Sequence, residues 1–272
     1  MKKWTASSAL AQGTKNRFGQ SRLGGGITTA NSNTRILTPM QPAPVSAPTL
    51  KQVPTSVNLG LNSDRARGMM IERLRQLGIE DERVLKAMQT IARHRFVDQG
   101  LASRAYENDA LPIGYGQTIS QPWIVARMIS LLFLVSPPTR VLEIGAGCGY
   151  QTAVLAQLIP EIYAIERIEP LYQIARAHLL ELGICEQVRL KFGDGMLGWP
   201  NEAPFDAIIV AAAGQQIPQA LLEQLVIGGR LVAPEGGESQ RLIYIQRIAV
   251  DSWQRHELET VRFVPLKPGT QL

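Results

Sequence analysis

The sequence predicts an α/β protein built on a doubly wound, mostly parallel sheet, and three features of the chain carry that expectation. From Arg140 onward, short apolar runs alternate with helical patterns. The first of these runs passes straight into a turn with glycine at alternate positions. Two β-rich stretches with no helix between them follow near residue 272. Strands joined by helices of about 10–15 residues imply right-handed crossovers, a parallel sheet and cover on both faces. The closing pair predicts an antiparallel C-terminal edge.

Residues 1–63 come first and stand apart. They are rich in Gly, Ser, Thr, Asn, Gln and Pro, with Gly24-Gly25-Gly26 followed by Pro39, Pro42, Pro44, Pro48 and Pro54. Such a composition buries too little apolar surface to offset its ordering entropy, so a disordered, low-complexity basic tail is expected, with residues 1–60 dispensable for folding and methyl transfer. A start at Met69 or Met70 is an alternative reading of the same stretch. The folded domain is expected over 64–272. Met69, Met70, Leu74 and Leu77 fit one helical face. Beyond Gly78, Asp81 can cap a second helix with Val84, Leu85, Met88 and Ile91 as its stripe. Pro112, Gly114 and Gly116 mark a loop, and Ile124–Leu134 reads as a buried helix stopped by Pro137-Pro138.

The alternating part then runs as strand Val141–Ile144, helix Gln151–Leu158, strand Ile162–Ile165, and helix Leu171–Leu182 ended by Gly183. Strand Val188–Phe192, strand Ala207–Val210, helix Ala220–Val226 and strand Arg230–Ala233 follow. Arg241–Ile248 and Glu257–Pro265 supply the edge.

Charge excludes a basic binding surface on the domain. The net charge of +5 resides in the tail, where Lys2, Lys3, Lys15, Arg17, Arg22, Arg35 and Lys51 meet no acid. Residues 64–272 hold 21 Lys and Arg against 23 Asp and Glu, so no specific nucleic-acid partner is expected. No apolar run approaches the roughly 18 residues a membrane helix needs. Two cysteines, Cys148 and Cys185, suit a reducing compartment, and a cytoplasmic location is expected. His94, His178 and His256 lack metal-ligand spacing, so no metal is expected.

The chemistry concentrates at the ends of the first three parallel strands, where doubly wound sheets bind ligands. Val141-Leu142-Glu143-Ile144-Gly145-Ala146-Gly147-Cys148-Gly149-Tyr150 joins a strand to a helix through three glycines, which turn tightly and admit a ligand close to the backbone. A dinucleotide loop would place its third glycine three residues after the second, at the position of Tyr150; here it comes early, at Gly149. The pattern E-x-G-x-G-x-G, opened by Glu143, is that of class I S-adenosylmethionine-dependent methyltransferases with a Rossmann-like sheet, which makes Glu143, Gly145, Gly147 and Gly149 candidate cofactor contacts. Glu166 ends the second strand, 21 residues after Gly145, where a carboxylate can accept both ribose hydroxyl hydrogens. Asp194 closes the third strand and could accept from an adenine amino group, with Gly195 letting the backbone approach the ring. Cys148 has no base pattern near it and reads as a small loop residue.

The segment Ala105-Tyr106-Glu107-Asn108-Asp109-Ala110-Leu111-Pro112-Ile113-Gly114-Tyr115-Gly116-Gln117-Thr118-Ile119-Ser120-Gln121-Pro122 closely resembles the hallmark of protein-L-isoaspartate (D-aspartate) O-methyltransferases. Further resemblances follow in family order at Arg95-Phe96-Val97, Phe205–Val210, Ala211-Ala212-Ala213, Ile217-Pro218, Gly228–Leu231 and Val261–Leu266. They run from about Asp64 to Leu266. Gly214-Gln215 departs from the proline-containing turn common there, which puts local contacts beside the substrate in doubt.

The resemblance implies methyl transfer from S-adenosyl-L-methionine to the free α-carboxylate of L-isoaspartyl residues in damaged proteins. The ester then closes to a succinimide that reopens partly to aspartate, a repair role. It implies an active-site serine at Ser120, within a loop Gln117, Thr118, Ile119, Ser120, Gln121, Pro122 over cofactor and substrate. Gly145, Gly147, Glu166, Asp194 and Gly195 fall on cofactor positions. An α-carboxylate of pKa roughly 3.5 is ionised at neutral pH and needs no base, only alignment and exclusion of water. The alternatives are a class I methyltransferase acting on a small molecule or RNA, which leaves Leu111–Pro122 unexplained, and a binding module that has lost catalysis.

Overall fold

The computed structural model describes residues 59–272, with side chains from residue 63. Most of the expected tail lies outside the described residues, but its last part, from Leu59, opens the first helix. Helices α1 (Leu59–Gln76) and α2 (Glu82–Thr90) come first. Asp81 caps α2 as expected, its carboxylate accepting from the Arg83 N–H at 3.0 Å, and Val84, Leu85 and Met88 are buried. Two 3-10 turns, Arg93–Phe96 and Gln99–Arg104, lead to the segment that precedes the sheet.

Residues expected as a loop instead form a two-stranded hairpin, β1 (Leu111–Gly114) with β2 (Gln117–Ile119). Gly114, Tyr115 and Gly116 all take positive φ, which folds the turn tightly enough for Leu111 to pair with Ile119. Helix α3 spans Pro122–Leu131, starting earlier and stopping earlier than expected. Pro122 suits the first helical position because its missing N–H would have no acceptor there. The chain leaves the helix well before Pro137-Pro138, and buried Arg230 takes over the freed carbonyls, donating to Leu132 O at 2.7 Å and to Ser136 O.

The main sheet contains β3 (Arg140–Ile144), β4 (Glu161–Glu166), β5 (Val188–Phe192), β6 (Phe205–Val210), β7 (Leu225–Gly236), β8 (Gln240–Ala249) and β9 (Ser252–Val261). Its order is β5-β4-β3-β6-β7-β8-β9; the first five are parallel and the last two antiparallel. Helices α4 (Tyr150–Ala156), α5 (Glu169–Glu181) and α6 (Gln219–Glu223) make the crossovers. The strand β7 is much longer than the expected Arg230–Ala233, because Leu225 already pairs with Phe205 and so ends the helix expected to reach Val226. The last strand also lies earlier than expected: β9 ends at Val261, and the following residues leave the sheet.

Period-two alternation sorts the strands onto two cores. Val141, Ile162 and Ala207, adjacent in register, join one buried cluster with Leu74, Val84, Val125 and Ala153 of the helices. Leu142, Tyr163 and Ile208, one residue on, join the other with Leu221 of α6. Strand β3 pairs with β4 on one side and β6 on the other, so the connections diverge on either side of it. A crevice at its carboxyl end is the geometric result.

Candidate active site

The turn after β3 is held from below and shaped from above. The N–H groups of Gly145 and Ala146 both donate to Ile165 O, at 2.9 and 3.1 Å. Gly145 and Gly147 take φ of 86° and 57°, a left-handed region that side chains other than glycine rarely enter. The Gly147 N–H donates to Glu166 Oε2 at 2.8 Å, and the Ile168 N–H to Glu166 Oε1 at 2.8 Å. Glu166 is only 4% exposed and lines the cleft. Each oxygen has spent one lone-pair site on a backbone donor and keeps another to offer.

That cleft has a volume of about 870 Å3, open solvent at its mouth included. It brings together Gln117, Thr118, Ile119 and Ser120 from the hairpin segment with Gly145, Gly147, Glu166 and Gly195. The hairpin reaches it by leaning on the glycine turn: a side chain at position 147 would lie 3.2 Å from Ile113 Cδ1. A second depression of about 860 Å3 is lined by Gln121, Trp123 and residues 260–264, and shares Thr118, Ser120, Ala211 and Val264 with the first. Ser120 therefore stands where the two spaces meet. Pro122 lines neither; it is buried at the start of α3. Gly214 and Gln215 also line neither space.

Three residues singled out as cofactor contacts do not line the cleft. Gly149 serves packing: at φ 84°, an added Cβ would lie 3.3 Å from Ala175 Cα, so this glycine lets α4 approach α5. Asp194 spends both oxygens on the main chain, its Oδ1 accepting from the Met196 N–H at 2.8 Å and its Oδ2 from the exposed Gly269 N–H at 2.7 Å. Its neighbour Gly195 does line the cleft, and a Cβ there would lie 2.4 Å from Ile144 Cγ2.

Glu143 is the third, fully buried beneath the turn. Thr152 Oγ1 donates to its Oε2 at 2.5 Å and Gln151 Nε2 to its Oε1 at 3.0 Å, from the first turn of α4. Burial pushes the carboxyl up to about 7, against the opposing pull of those two donors, and the Glu166 charge adds to the rise. A folded-state value above that of the unfolded chain means stability present at low pH and lost as pH rises through about 7. Glu143→Gln should remove that dependence. Urea titrations at about pH 5 and pH 8 should show the variant gaining on the wild type at the higher pH, by on the order of 1–3 kcal/mol. The same difference at both pH values would show that the carboxyl does not titrate in this range.

Residues not anticipated complete the walls. Val264, Pro265, Leu266 and Lys267 cross the carboxyl ends of the strands and line the cleft. The Ala213 N–H donates to Val264 O and the Leu266 N–H to Ala213 O, both at 2.8 Å, which fixes this run above β6. Cys148, in the same cleft, is buried and its thiol is pushed up to about 11 by that burial, which removes it as a nucleophile at neutral pH. Among the described residues, no group of three His, Cys, Asp or Glu side chains is placed to hold a metal ion, and no helix is long and apolar enough to cross a membrane.

The cleft thus lies at the carboxyl ends of β3 and β4 under the hairpin, and comparison with known proteins gives its family. Protein-L-isoaspartate O-methyltransferase of Bordetella avium is 61% identical over 246 residues, covering 90% of this chain and 92% of its own. The Alcanivorax borkumensis protein of that name is 52% identical, covering 78% of this chain and 96% of its own. A solved protein-L-isoaspartate O-methyltransferase superposes with a TM-score of 0.68 at 26% identity, covering 75% of this chain and 67% of that one. A Plasmodium falciparum structure in complex with S-adenosyl-L-homocysteine shares the fold, with a TM-score of 0.65 at 24% identity over 74% of this chain and 98% of that one. The profile of the protein-L-isoaspartate(D-aspartate) O-methyltransferase family matches residues 65–271. With three quarters of its length inside that profile and relatives this similar, the chain belongs to the protein-L-isoaspartate(D-aspartate) O-methyltransferase family.

Proposed function

We propose that this chain methylates the free α-carboxylate of L-isoaspartyl residues in damaged proteins, with Ser120 holding that carboxylate at the junction of the two spaces. S-adenosyl-L-methionine supplies an electrophilic methyl group on a sulfonium. The residues present fit it: Glu166 offers free lone pairs to a ribose, and Gly145, Gly147 and Gly195 leave backbone open to the cleft. The second depression, bordered by Trp123 and the run Thr260–Val264, takes the peptide. Ser120 supports this reading: it lines both spaces with Thr118, Ala211 and Val264, and of the two hydroxyls among these four Thr118 is exposed while Ser120 is half-buried.

The carboxylate is already ionised near neutral pH, so the chain has no proton to remove. One of its oxygens attacks the methyl carbon as the carbon–sulfur bond breaks and its electron pair returns to sulfur, giving a methyl ester and a neutral thioether. Ser120 donates to the other carboxylate oxygen and fixes the angle of attack. The hairpin and the run Val264–Lys267 close the cleft on two sides and keep water from competing. The backbone nitrogen of the residue that follows then attacks the ester carbonyl and expels methanol, closing the succinimide that begins repair. Residence in the cytoplasm, where the free thiols Cys148 and Cys185 stay reduced, belongs to the same reading.

Transfer of radiolabelled methyl from S-adenosyl-L-methionine tests it, with an isoaspartyl peptide and its aspartyl twin as paired substrates. The isoaspartyl peptide should gain base-labile label and the twin none. Equal labelling of both, or of neither, would overturn the assignment.

A further inference from the structure

The segment Ala105–Asp109 has no regular structure and lies outside the cleft, yet it is fastened from three directions. Arg93, 0% exposed, donates from Nε to Ala105 O at 2.8 Å and from Nη2 to Asp109 O at 3.3 Å. Arg73 of α1 donates to Tyr106 O at 3.3 Å, and the Tyr106 hydroxyl is bonded to His94 Nδ1 at 2.7 Å. Burying a guanidinium is costly, and here it meets main-chain carbonyls; only the planar fork of arginine reaches two of them at once. The Arg93 guanidinium also lies 5.0 Å from the ring centroid of Tyr150, the first residue of α4 and a wall of the cofactor cleft. The segment is thus registered against the glycine turn.

From this anchored segment one side chain reaches forward. Asn108 Oδ1 accepts from the Trp123 N–H at 2.9 Å. That N–H belongs to the first turn of α3, whose own N-cap residue, Gln121, makes no side-chain cap. Asn108 supplies the missing cap from 15 residues earlier. The hairpin and Ser120 lie between these two points, and Ser120 is three residues before Trp123. The loop that carries Ser120 therefore has both feet tied to one rigid base.

We propose that Asn108 is a positioning residue for Ser120, fixing the hydroxyl against the cofactor cleft through the N-terminus of α3. This rests on the reading of Ser120 given above. A displacement of about 1 Å at a reacting centre costs up to about a hundredfold in rate, so a remote cap can govern turnover without touching substrate.

Four full-length variants test this: Asn108→Ala, Asn108→Asp, Ser120→Ala and the Asn108→Ala/Ser120→Ala pair. Each is measured for kcat and KM on an isoaspartyl peptide and for S-adenosyl-L-homocysteine affinity by calorimetry. Asn108→Ala should lower kcat about tenfold to a hundredfold and leave the calorimetric affinity within about twofold, because the glycine turn keeps its own supports. Asn108→Asp should restore kcat, since a carboxylate accepts the same N–H and suits a helix N-terminus. The pair should be no slower than Ser120→Ala alone, the mark of two residues acting through one group. Wild-type turnover in Asn108→Ala overturns the proposal, as does a kcat loss that adds in full to that of Ser120→Ala or resists the Asp variant. Should Asn108→Ala not fold, a slow Asn108→Asp overturns it equally. Wild-type turnover in Ser120→Ala would instead remove Ser120 from the site and take the positioning role down with it.

Discussion

Glu166→Ala is expected to weaken S-adenosyl-L-homocysteine binding by about 1–3 kcal/mol, or roughly 5-fold to 150-fold, the scale of hydrogen bonds to a charged group. The substitution removes two things, the first felt in binding and the second in stability. The ribose loses a carboxylate acceptor, and the backbone N–H groups of Gly147 and Ile168 lose theirs in a buried setting. The second loss acts before any cofactor arrives, so the variant should also melt several degrees lower. Glu166→Gln should fall between, since one of its two oxygens survives while the amide turns a donor toward a donor. Calorimetric affinity equal to the wild type would remove Glu166 from the cofactor site.

Ser120→Ala separates binding from chemistry. Its turnover of isoaspartyl peptide should fall about 10-fold to 1000-fold, the range for removal of one donor to a reacting oxygen. Affinity for S-adenosyl-L-homocysteine should stay within about twofold, because the acceptor and backbone groups of the cofactor cleft lie on β3, β4, β5 and the turns that follow them. A kcat equal to the wild type would reduce the serine to part of the hairpin's packing. Equal losses in turnover and in cofactor affinity would place it on the cofactor side of the junction.

The parallel core, the crossover helices and the glycine turn were legible in the sequence because each is a local pattern. An apolar run of about four residues, a 3.6-residue stripe and alternating glycines announce themselves within a short window. The hairpin at Leu111–Ile119 was not legible, because its short strands are half exposed and its turn looks like any glycine-rich loop. Glu143 and Asp194 show the same limit at the site. Their spacing places both acids at strand ends, but the direction of each side chain is set by partners that spacing does not specify. For Glu143 these are Gln151 and Thr152, in the first turn of α4; for Asp194 the partner is Gly269, 75 residues away. The run Val264–Lys267 escaped notice as a wall for the same reason. It is neither a strand end nor a glycine turn, and only the fold carries it across the cleft.

The bond between Asp194 and Gly195 carries a consequence for the working life of the molecule. It is the one Asp-Gly pair in the chain. A glycine nitrogen, free of side-chain hindrance, attacks the carboxyl of a preceding aspartate more readily than any other, and that ring closure is how proteins age at aspartate. Here both carboxylate oxygens are held, by the N–H groups of Met196 and Gly269, and Gly195 is packed against Ile144. Swinging the carboxyl carbon onto the Gly195 nitrogen would break both bonds at once. Loosening either bond is expected to expose the wall of the cleft to the slow damage that the family corrects in other proteins, so these two bonds bear on how long the molecule lasts.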